Sequence, residues 1–449
     1  AQQRWLGLDR HNLDLVAKAL PQDRAEMADA VDQATLQRAL ARPESALENF
    51  GIVARQLLAA PAFDLVICDE AHRTTGVTLA GNDESHFVKI HDGAYIKAAK
   101  RLYMTATPRI FADTARARAE EAEAVVCSMD DPAVYGLELH RLGFGEAVGA
   151  GLLADYKVMV LAVDEKFVSK TFQRQLAKDG ELNMEDAVRI TGCWNGLAKR
   201  MAATVGDPTS SIENDPTPMR RAVAFSRSIK DSQRITELFA GVVDQYIAQA
   251  VDEERDDLLR CEADHVDGTM NALKRGAKLD WLKADTASQG NVCRILSNAR
   301  CLSEGVDVPA LDAVLFLNPR KSVVDVVQSV GRVMRTSPGK KYGYIILPVG
   351  VPSDVSPEVA LQDNEKYKVV WQVLQALRAH DDRFNATVNQ IELNKARPDN
   401  IQVIGVGGGA GDDEGDGGGA GTVKPVQGAF AFPNLDQWRD AIFAKIVIK

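Results

Sequence analysis

The chain has 449 residues and a mass of 48.8 kDa, with 45% hydrophobic and 26% charged residues, which excludes a single small module and a disordered or collagen-like chain. Its net charge of −10 excludes a surface of uniform positive potential, so nucleic acid, if bound, requires a local basic groove. Because no apolar run reaches the roughly 18 residues that cross a bilayer and the first residues lack a secretory signal, the sequence predicts two or three cytoplasmic domains without a membrane segment.

Two helical stretches begin the chain, and strand-like runs follow them. Residues 1–62 carry apolar side chains at roughly helical spacing up to Pro61, and we expect a helical, atypical remnant of the region upstream of the first strand. From residue 64 the pattern changes to short apolar runs without alternation, which is typical of strands covered on both faces. The sequence therefore predicts parallel sheets flanked by helices. The runs are DLVIC at 64, RLYMT at 101, YKVMVLAV at 156, AVAFS at 222, RILSNA at 294, AVLFLN at 313 and YIILPV at 344.

Acidic residues follow the first of these runs. Asp69, Glu70 and His72 come directly after it, and ligands of open parallel sheets collect at the carboxyl ends of strands. We predict that Asp69 holds Mg²⁺ beside a nucleotide and that Glu70 orients and deprotonates the attacking water. Thr105 and Thr107 follow the next run, where their hydroxyl groups can bond the carboxylates or His72 and report the nucleotide state. Taken alone, either segment also fits an ordinary polar strand end.

Polar residues also follow the run at 222. Ser228 and Asp231 fit the S-x-x-D start of a helix, and free N–H groups at such a start favour phosphate oxygens. Ser226, Arg227 and Ser228 are therefore candidates for contacts to a nucleic-acid backbone, and a plain helix cap explains the pattern equally well. The acidic stretch at 251–264 is typical of a solvated helix face.

The loop between the runs at 294 and 313 contributes three candidates. Gly305 permits close backbone approach, and Asp307 can accept a hydrogen bond from a ribose hydroxyl or a facing arginine. Arg300 is a candidate for nucleic-acid binding. The other histidines, among them His91 and His265, show no metal-ligand spacing and are assigned no function.

The segment VVDVVQSVGRVMR at 323–335 predicts an amphipathic helix. Gln328, Arg332 and Arg335 then share one face, where two guanidinium groups suit a phosphate chain that is losing its γ-phosphate. A basic solvated helix face is the alternative. The residues predicted to turn toward a core are Val323, Val327, Val330 and Met334.

Together these segments resemble the superfamily 2 helicases and translocases. The similarity covers roughly residues 63–350, and the segments occur in the order of that superfamily. They are DEAH at 69–72 (motif II), TAT at 105–107 (motif III), AFSRS at 224–228 (motif IV), ARCLSEGVDVP at 299–309 (motif V) and QSVGRVMR at 328–335 (motif VI). CDEAHRTTG, TATPRIF and HRLGFGEAVGAGLLADYKV most resemble the helicase part of single-polypeptide type I restriction enzymes and the related type III enzymes.

The resemblance implies two RecA-like domains with ATP and Mg²⁺ in the cleft between them and DNA across both. ATP would bring Arg332 and Arg335 onto a phosphate held by the first domain, and hydrolysis would reopen the cleft. The implied function is an ATP-dependent DNA helicase or translocase of a restriction-modification enzyme, with further domains or subunits of that system as possible partners. Such a motor contacts the DNA backbone with little sequence readout.

One element of the superfamily is missing from the sequence. No G-x-x-x-x-G-K-[ST] phosphate loop occurs, and GAK at 276 and GKK at 339 lack its spacing. We therefore expect an incomplete first domain and a chain that does not hydrolyse ATP alone. Two alternatives stay open: a non-catalytic remnant that binds nucleic acid or a partner, and an RNA helicase of the DEAH type.

The predicted fold class is α/β, with two RecA-like parallel-sheet domains, the first incomplete, and a flexible Gly-rich linker. Ten glycines and four acids in the seventeen residues 405–421 are too poor in apolar side chains to order this linker. The expected segments are a helical segment at 1–62, a partial first domain at 63–154, the second domain at 155–350, a helical extension at 351–404, the disordered linker at 405–421 and the start of a further, truncated domain at 422–449.

Overall fold

The computed structural model divides into two compact units, one ending at Arg141 and the other beginning at Leu142, rather than at the expected boundary after residue 154. No helix in the described part of the chain is long and apolar enough to cross a membrane. The predicted helices within 1–62 lie outside the described residues. The residues that the structure describes are 63–79, 88–111, 117, 119, 124–178, 182–199, 215, 217–249, 258–299, 302, 311–318, 323–352, 355–361, 367–394, 400–407 and 435–448.

The first unit contains two small sheets. Strands β1 (Phe63–Cys68) and β3 (Ala98–Tyr103) pair in parallel, as the two apolar runs predicted. Strand β2 (Gly76–Leu79) pairs antiparallel with β4 (Ala124–Cys127). The register sets Cys68 opposite Tyr103, so β1 and β3 end at the same edge. Short helical elements complete the described part of the unit: 3₁₀ turns at Ala71–Thr74 and Val88–His91, and helix α1 at Pro132–Tyr135.

The second unit is built on a seven-stranded sheet in which every neighbouring pair is parallel. The strands are β5 (Asp155–Asp164), β6 (Arg221–Phe225), β7 (Arg260–His265), β8 (Val292–Asn298), β9 (Ala313–Phe316), β10 (Tyr342–Val351) and β11 (Ile401–Val406). They lie in the order β11-β5-β10-β9-β6-β8-β7. The two long strands, β5 and β10, are buried along almost their whole length, which explains why their sequences show no alternation.

Helices cover both faces of this sheet and enclose two hydrophobic cores. One core packs the Trp194 and Phe239 helices onto one face of the strands, and the other packs the Val330 and Leu374 helices onto the opposite face. The predicted α/β class, with parallel strands flanked by helices, is confirmed. The helices are α2 (Phe144–Gly149), α3 (Glu165–Thr171), α4 (Gln173–Leu176), α5 (Met184–Leu197), α6 (Ile229–Gln249), α7 (Ala272–Lys283), α8 (Val323–Val333), α9 (Pro357–Ala360), α10 (Lys368–His380), α11 (Asp382–Asn394) and α12 (Leu435–Ile448).

The outermost strands of the sheet differ from the sequence-based expectations. The stretch 251–264 was expected to be helical, yet its last residues belong to β7, where the exposed Arg260 alternates with the buried Cys261. At the other edge, β11 includes residues 401–406, so the helical extension and the Gly-rich linker both overlap a strand. The charged and partly exposed sequence of β7 is typical of an edge strand, whereas β11 is apolar and buried along almost its whole length.

The carboxyl-terminal helix also differs from the expectation. Residues 422–449 were expected to begin a further domain, but α12 packs against the second unit. Trp438, Ile442 and Phe443 of this helix are buried in the same core as Tyr367 and Leu374. Trp438 and Ile442, which lie at helical spacing, form part of this buried face, and the surface that they cover lies within the second unit.

Candidate functional site

The acidic residues of the first unit lie at the carboxyl end of β1. Asp69 is exposed, and its Oδ1 accepts a hydrogen bond of 2.9 Å from the backbone N–H of Glu70. Glu70 adopts a left-handed conformation, with φ 50° and ψ 43°, which is uncommon for a residue with a side chain. The chain thereby turns directly from the strand into the Ala71–Thr74 turn. Backbone strain of this kind is typical of functional sites.

The ends of β1 and β3 are joined by a hydrogen bond between His72 and Thr105. His72 Nδ1 and Thr105 Oγ1 are 3.0 Å apart, and Nδ1 also lies 3.3 Å from the Glu70 carboxylate. The backbone N–H of Thr107 donates to Thr105 Oγ1 at 3.1 Å. The structure therefore brings His72, Glu70 and both threonines together, with the Thr105 hydroxyl at the centre.

Backbone hydrogen bonds hold the same two strand ends. Met104 donates from its backbone N–H to the carbonyl of Cys68 at 2.9 Å, and Ala71 donates to the carbonyl of Met104 at 2.9 Å. Met104, after β3, thus donates one backbone hydrogen bond to the end of β1 and accepts one from the segment that follows β1. This pairing fixes Asp69 and Glu70 relative to the threonine segment independently of any side chain.

A cluster around His91, which was not predicted from the sequence, contacts the Ala71–Thr74 turn. Both ring nitrogens of His91 form hydrogen bonds. Nδ1 lies 2.8 Å from the Tyr103 hydroxyl, and Nε2 lies 3.1 Å from the Thr74 carbonyl. The Thr74 hydroxyl donates to the Ala71 carbonyl and lies 2.9 Å from the Tyr135 hydroxyl. Burial lowers the pKa of His91 and raises that of Tyr103 to about 12. A neutral imidazole with its proton on Nε2 fits both contacts of His91, because a carbonyl oxygen can only accept.

In the second unit, the arginine segment, residues 328–335, spans the end of α8. Gln328 and Arg332 lie on the helix, but Arg335 follows its last residue and pairs with Leu153 in an antiparallel bridge. The expectation that all three share one helix face is therefore wrong for Arg335. Beyond the helix, Pro338 and Gly339 form a turn that reverses the chain.

The apolar side of α8 was largely predicted. Val327, Val330 and Met334 are buried, whereas Val323 is 48% exposed at the start of the helix. The guanidinium group of Arg332 turns back toward this side, where Nη1 donates to the Leu302 carbonyl at 2.7 Å. Arg332 also lines a small apolar cavity, together with Val223, Phe225, Leu302, Leu311, Val314 and Ser329.

The residues after β6 form the predicted helix cap. Asp231 donates from its backbone N–H to Ser228 Oγ at 3.0 Å, and that hydroxyl donates to the Asp231 carboxylate at 2.9 Å. Arg227 is exposed and forms an ion pair of 3.0 Å with Asp231. Ser226 is buried, and its hydroxyl faces Ser297 at 3.4 Å. Of the three candidate nucleic-acid contacts in this segment, Arg227 is thus the exposed one.

A buried polar chain, which was not predicted, connects the first turn of α6 with the carboxyl ends of β8 and β7. Ser232 Oγ lies 2.7 Å from Ser297 Oγ and 2.7 Å from His265 Nδ1, and His265 Nε2 lies 2.9 Å from the Asp267 carboxylate. The Thr269 hydroxyl and backbone N–H donate to the same carboxylate, and this bonding lowers the pKa of Asp267. Because Ser232 is fully buried, the Ser–His–Asp arrangement positions strand ends and does not present a nucleophile.

The remaining predicted residues, Arg300, Gly305 and Asp307, lie outside the described residues. The predicted magnesium ligand Asp69 fits the ion chemically. Its carboxylate is exposed at a strand end, and Mg²⁺ is usually held by one or two carboxylates, substrate phosphates and water. In the described part of the chain, no group of three or more His, Cys, Asp or Glu side chains forms a closed metal site.

Two family descriptions match segments of the chain. Residues 33–110 match the type III restriction enzyme res subunit, and residues 216–337 match the helicase conserved C-terminal domain. The first match contains the segments at 69–72 and 105–107, and it extends upstream into the region that was expected to be atypical. The second contains the polar segment after β6 and the arginine segment.

Comparison with individual proteins gives a consistent result. The ATP-dependent type ISP restriction-modification enzyme LlaBIII, solved bound to DNA, superposes with a TM-score of 0.69 at 40% sequence identity, over 90% of this chain and 24% of that one. The probable helicase A859L of African swine fever virus (strain Badajoz 1971 Vero-adapted) is 26% identical over 322 residues, or 72% of this chain and 30% of the viral protein. The putative helicase 22 of Sulfolobus islandicus filamentous virus is 33% identical over 84 residues, 19% of this chain and 14% of that protein. The chain therefore spans less than a third of each of these relatives.

Proposed function

Because the chain is a superfamily 2 helicase chain related to restriction enzymes, we propose that it forms part of an ATP-dependent DNA helicase or translocase in a restriction-modification enzyme. The observation that carries this proposal is the 40% identity, over 90% of the chain, to a type ISP restriction enzyme that was solved on DNA. That similarity favours DNA over RNA as the nucleic acid. It also favours further domains of a restriction system as partners.

We assign the acidic residues of the first unit to the nucleotide. Asp69 would hold Mg²⁺ through its exposed carboxylate, and the ion when bound would neutralise charge on the phosphates. Glu70 would orient the attacking water and accept its proton. The Glu70 carboxylate lies beside His72, which restrains the direction in which it points. The contact between His72 and Thr105 would carry a change at Glu70 to the segment after β3.

The residues of the second unit would complete the motor. Arg332 and Arg335 would stabilise negative charge on the phosphates in the transition state, with Gln328 beside them on the same segment. Gly305 and Asp307 would approach the nucleotide, whereas Ser226, Arg227, Ser228 and Arg300 would contact the DNA backbone. Among these, Arg227 offers an exposed positive charge at the end of β6, where it also forms an ion pair with Asp231.

The 449 residues alone should not hydrolyse ATP at a useful rate. The proposed residues act on a γ-phosphate that a G-x-x-x-x-G-K-[ST] loop and its lysine would hold, and the sequence contains no such pattern. Phosphoryl transfer depends mainly on positioning, so the acidic residues and arginines need that loop to act. A non-catalytic binding role for this chain is the second candidate, and the same absence favours it.

The test uses two proteins: residues 1–449, and a loop-containing polypeptide in which they follow a segment with that loop. We expect Mg²⁺-dependent ATP hydrolysis by the loop-containing polypeptide only, with stronger stimulation by duplex DNA than by single-stranded DNA or RNA. Glu70→Gln should abolish turnover and preserve nucleotide binding, whereas Glu138→Gln, at an exposed carboxylate, should leave turnover unchanged. Stimulation by RNA alone would support the RNA helicase, and absent turnover with retained DNA binding would support the non-catalytic role.

A further inference from the structure

The sequence Ser-Pro-Gly-Lys at 337–340 folds back on the end of α8. Lys340 donates from its backbone N–H to the Ser337 carbonyl at 3.1 Å, and Gly339 has φ 78°. Proline at the second and glycine at the third position are the pattern of a type II turn, in which the third residue needs a positive φ. The turn reverses the chain immediately after the arginine segment, so the side chain of Lys340 returns to that segment.

The ammonium group of Lys340 binds three backbone carbonyl oxygens. Nζ donates to the carbonyls of Val333 at 2.5 Å, Leu311 at 2.6 Å and Arg335 at 2.9 Å. An ammonium group has three N–H donors, so its full donor capacity is used on the backbone. This accounts for the Gly-Lys-Lys sequence at 339, which lacks the spacing of a phosphate loop: its first lysine binds carbonyl oxygens.

The three carbonyls lie in two separate parts of the chain: the end of the arginine segment and the residues that lead into β9. Val333 ends α8, and Arg335 is the second arginine of the arginine segment. Leu311 leads into β9, and its neighbour Asp312 accepts hydrogen bonds from the backbone N–H groups of Arg220 and of Arg221, the first residue of β6. Lys340 therefore joins the end of the arginine segment to the start of the central strands.

The surroundings of Lys340 favour a fixed geometry. Burial lowers the pKa of Lys340 to about 8, while the Asp312 carboxylate opposes that change by its negative charge. The backbone of β10 passes close to the Val333 carbonyl on a second side, since a Cβ on Gly343 would lie 2.3 Å from its oxygen. A partly buried ammonium with three carbonyl partners leaves little freedom to the backbone that carries Arg335.

We propose that Lys340 is a positioning residue, which fixes the backbone of Arg332 and Arg335 against the start of β9 and thereby sets the placement of both guanidinium groups. The proposal rests on the proposed function for what the arginines act on. Its structural part, the restraint of the arginine segment, can be measured without any catalytic activity.

The first experiment measures hydrogen exchange in residues 1–449. Lys340→Met should accelerate amide exchange at residues 330–336 roughly tenfold, because three charge-assisted hydrogen bonds are lost, while exchange in α5 stays unchanged. Lys340→Arg keeps the charge and the donors and should stay within about twofold of the wild type. Lys341→Met, at the exposed neighbouring lysine, is the matched control and should have no local effect. Unchanged exchange at 330–336, or equal acceleration throughout the second unit, would overturn the proposal.

The second experiment uses the loop-containing polypeptide. Lys340→Met should lower kcat for ATP about tenfold with KM within about twofold, because the arginines act mainly on the transition state, and Lys340→Arg should restore kcat. A rise in KM with unchanged kcat would overturn the proposal. If the wild-type polypeptide shows no ATP hydrolysis, the proposed function fails, and the exchange experiment alone decides the role of Lys340. If Lys340→Met does not fold, Lys340→Gln, which keeps two donors, replaces it in both experiments.

Discussion

His72 and Thr105 lie on the turns after two neighbouring parallel strands and are joined by a hydrogen bond of 3.0 Å between Nδ1 and Oγ1. The Thr105 hydroxyl also accepts a hydrogen bond from the backbone N–H of Thr107. One hydroxyl group therefore connects the acidic turn after β1 with the threonine segment after β3. Its removal should affect both stability and the coupling between the two segments.

Thr105→Val removes this hydroxyl and keeps the shape of the side chain. We expect a loss of about 1 kcal/mol in the free energy of unfolding, the usual value of one hydrogen bond, measured by chemical denaturation of residues 1–449. In the loop-containing polypeptide, DNA should stimulate ATP hydrolysis several-fold less than in the wild type. Thr105→Ser keeps the hydroxyl and should preserve the stimulation. Equal stimulation in the valine and serine variants would refute a coupling role for this contact.

The second prediction concerns His91 and pH. Burial lowers the pKa of His91 in the folded chain, so the unfolded chain takes up a proton first, near pH 6.5, as the pH falls. The stability that His91 contributes is therefore present above about pH 6.5 and is lost as the pH falls below it. Arg101 acts in the same direction, and the neighbouring Tyr103 and Tyr135 stay neutral in this range.

Calorimetry of the wild type and His91→Gln between pH 7.5 and pH 5 tests this. The difference in the free energy of unfolding between the wild type and His91→Gln should become smaller as the pH falls. The change is at most about 1.4 kcal/mol per pH unit, the value that applies where the unfolded chain binds one more proton than the folded chain. A difference for His91→Gln that does not change with pH would mean that His91 titrates alike in the folded and unfolded chains.

Much of the second unit follows from local sequence. Strands β5 and β10 were predicted because burial on both faces requires an unbroken apolar run, and the cap at Ser228 was predicted because its partner Asp231 is three residues away. The edge strand β7 was missed because it carries charged residues on its exposed side, and the apolar run of β11 was divided between the helical extension and the Gly-rich linker. The turn after the arginine segment could have been predicted from the Pro-Gly pair at 338–339.

The side-chain contacts of the site are harder to predict because they join distant parts of the chain. Ser232 and His265 are 33 residues apart, and Lys340 lies 29 residues from Leu311. No periodicity or spacing brings such pairs together; the order of the parallel strands does. The contact between His72 and Thr105 was anticipated as one option because two strand ends at the same sheet edge bring their next residues together.

The third prediction concerns DNA binding by Arg227. Its guanidinium group is exposed beside the start of α6, so Arg227→Ala should weaken binding of residues 1–449 to duplex DNA of any sequence. The slope of log K against log salt should become shallower by about one, since one phosphate contact is removed. Arg174→Ala, at an exposed arginine on α4, should leave the slope unchanged. Binding that is independent of salt, or an equal effect of both variants, would contradict a backbone contact at Arg227.

The last prediction compares two glycines of the second unit. Gly343 lies in β10, where a Cβ would approach the Val333 carbonyl oxygen to 2.3 Å, so Gly343→Ala forces the strand away from the end of α8. We expect a loss of about 1 to 3 kcal/mol in the free energy of unfolding, as for other overpacked positions. Gly241 lies inside α6 with no atom within 4 Å of its Cβ position, so Gly241→Ala should instead gain about 0.5 to 1 kcal/mol through higher helix propensity.

Urea denaturation of both variants measures these opposite changes, and hydrogen exchange locates the first one. Because the added Cβ would meet the carbonyl that Lys340 also binds, the alanine variant should accelerate exchange at residues 330–336 as Lys340→Met does. Combining both substitutions should then add little further acceleration, since residues in contact with one shared group are not independent. Fully additive effects would show that the strand and the lysine restrain different parts of the arginine segment, and a Gly343→Ala variant as stable as the wild type would show that α8 and β10 separate without cost.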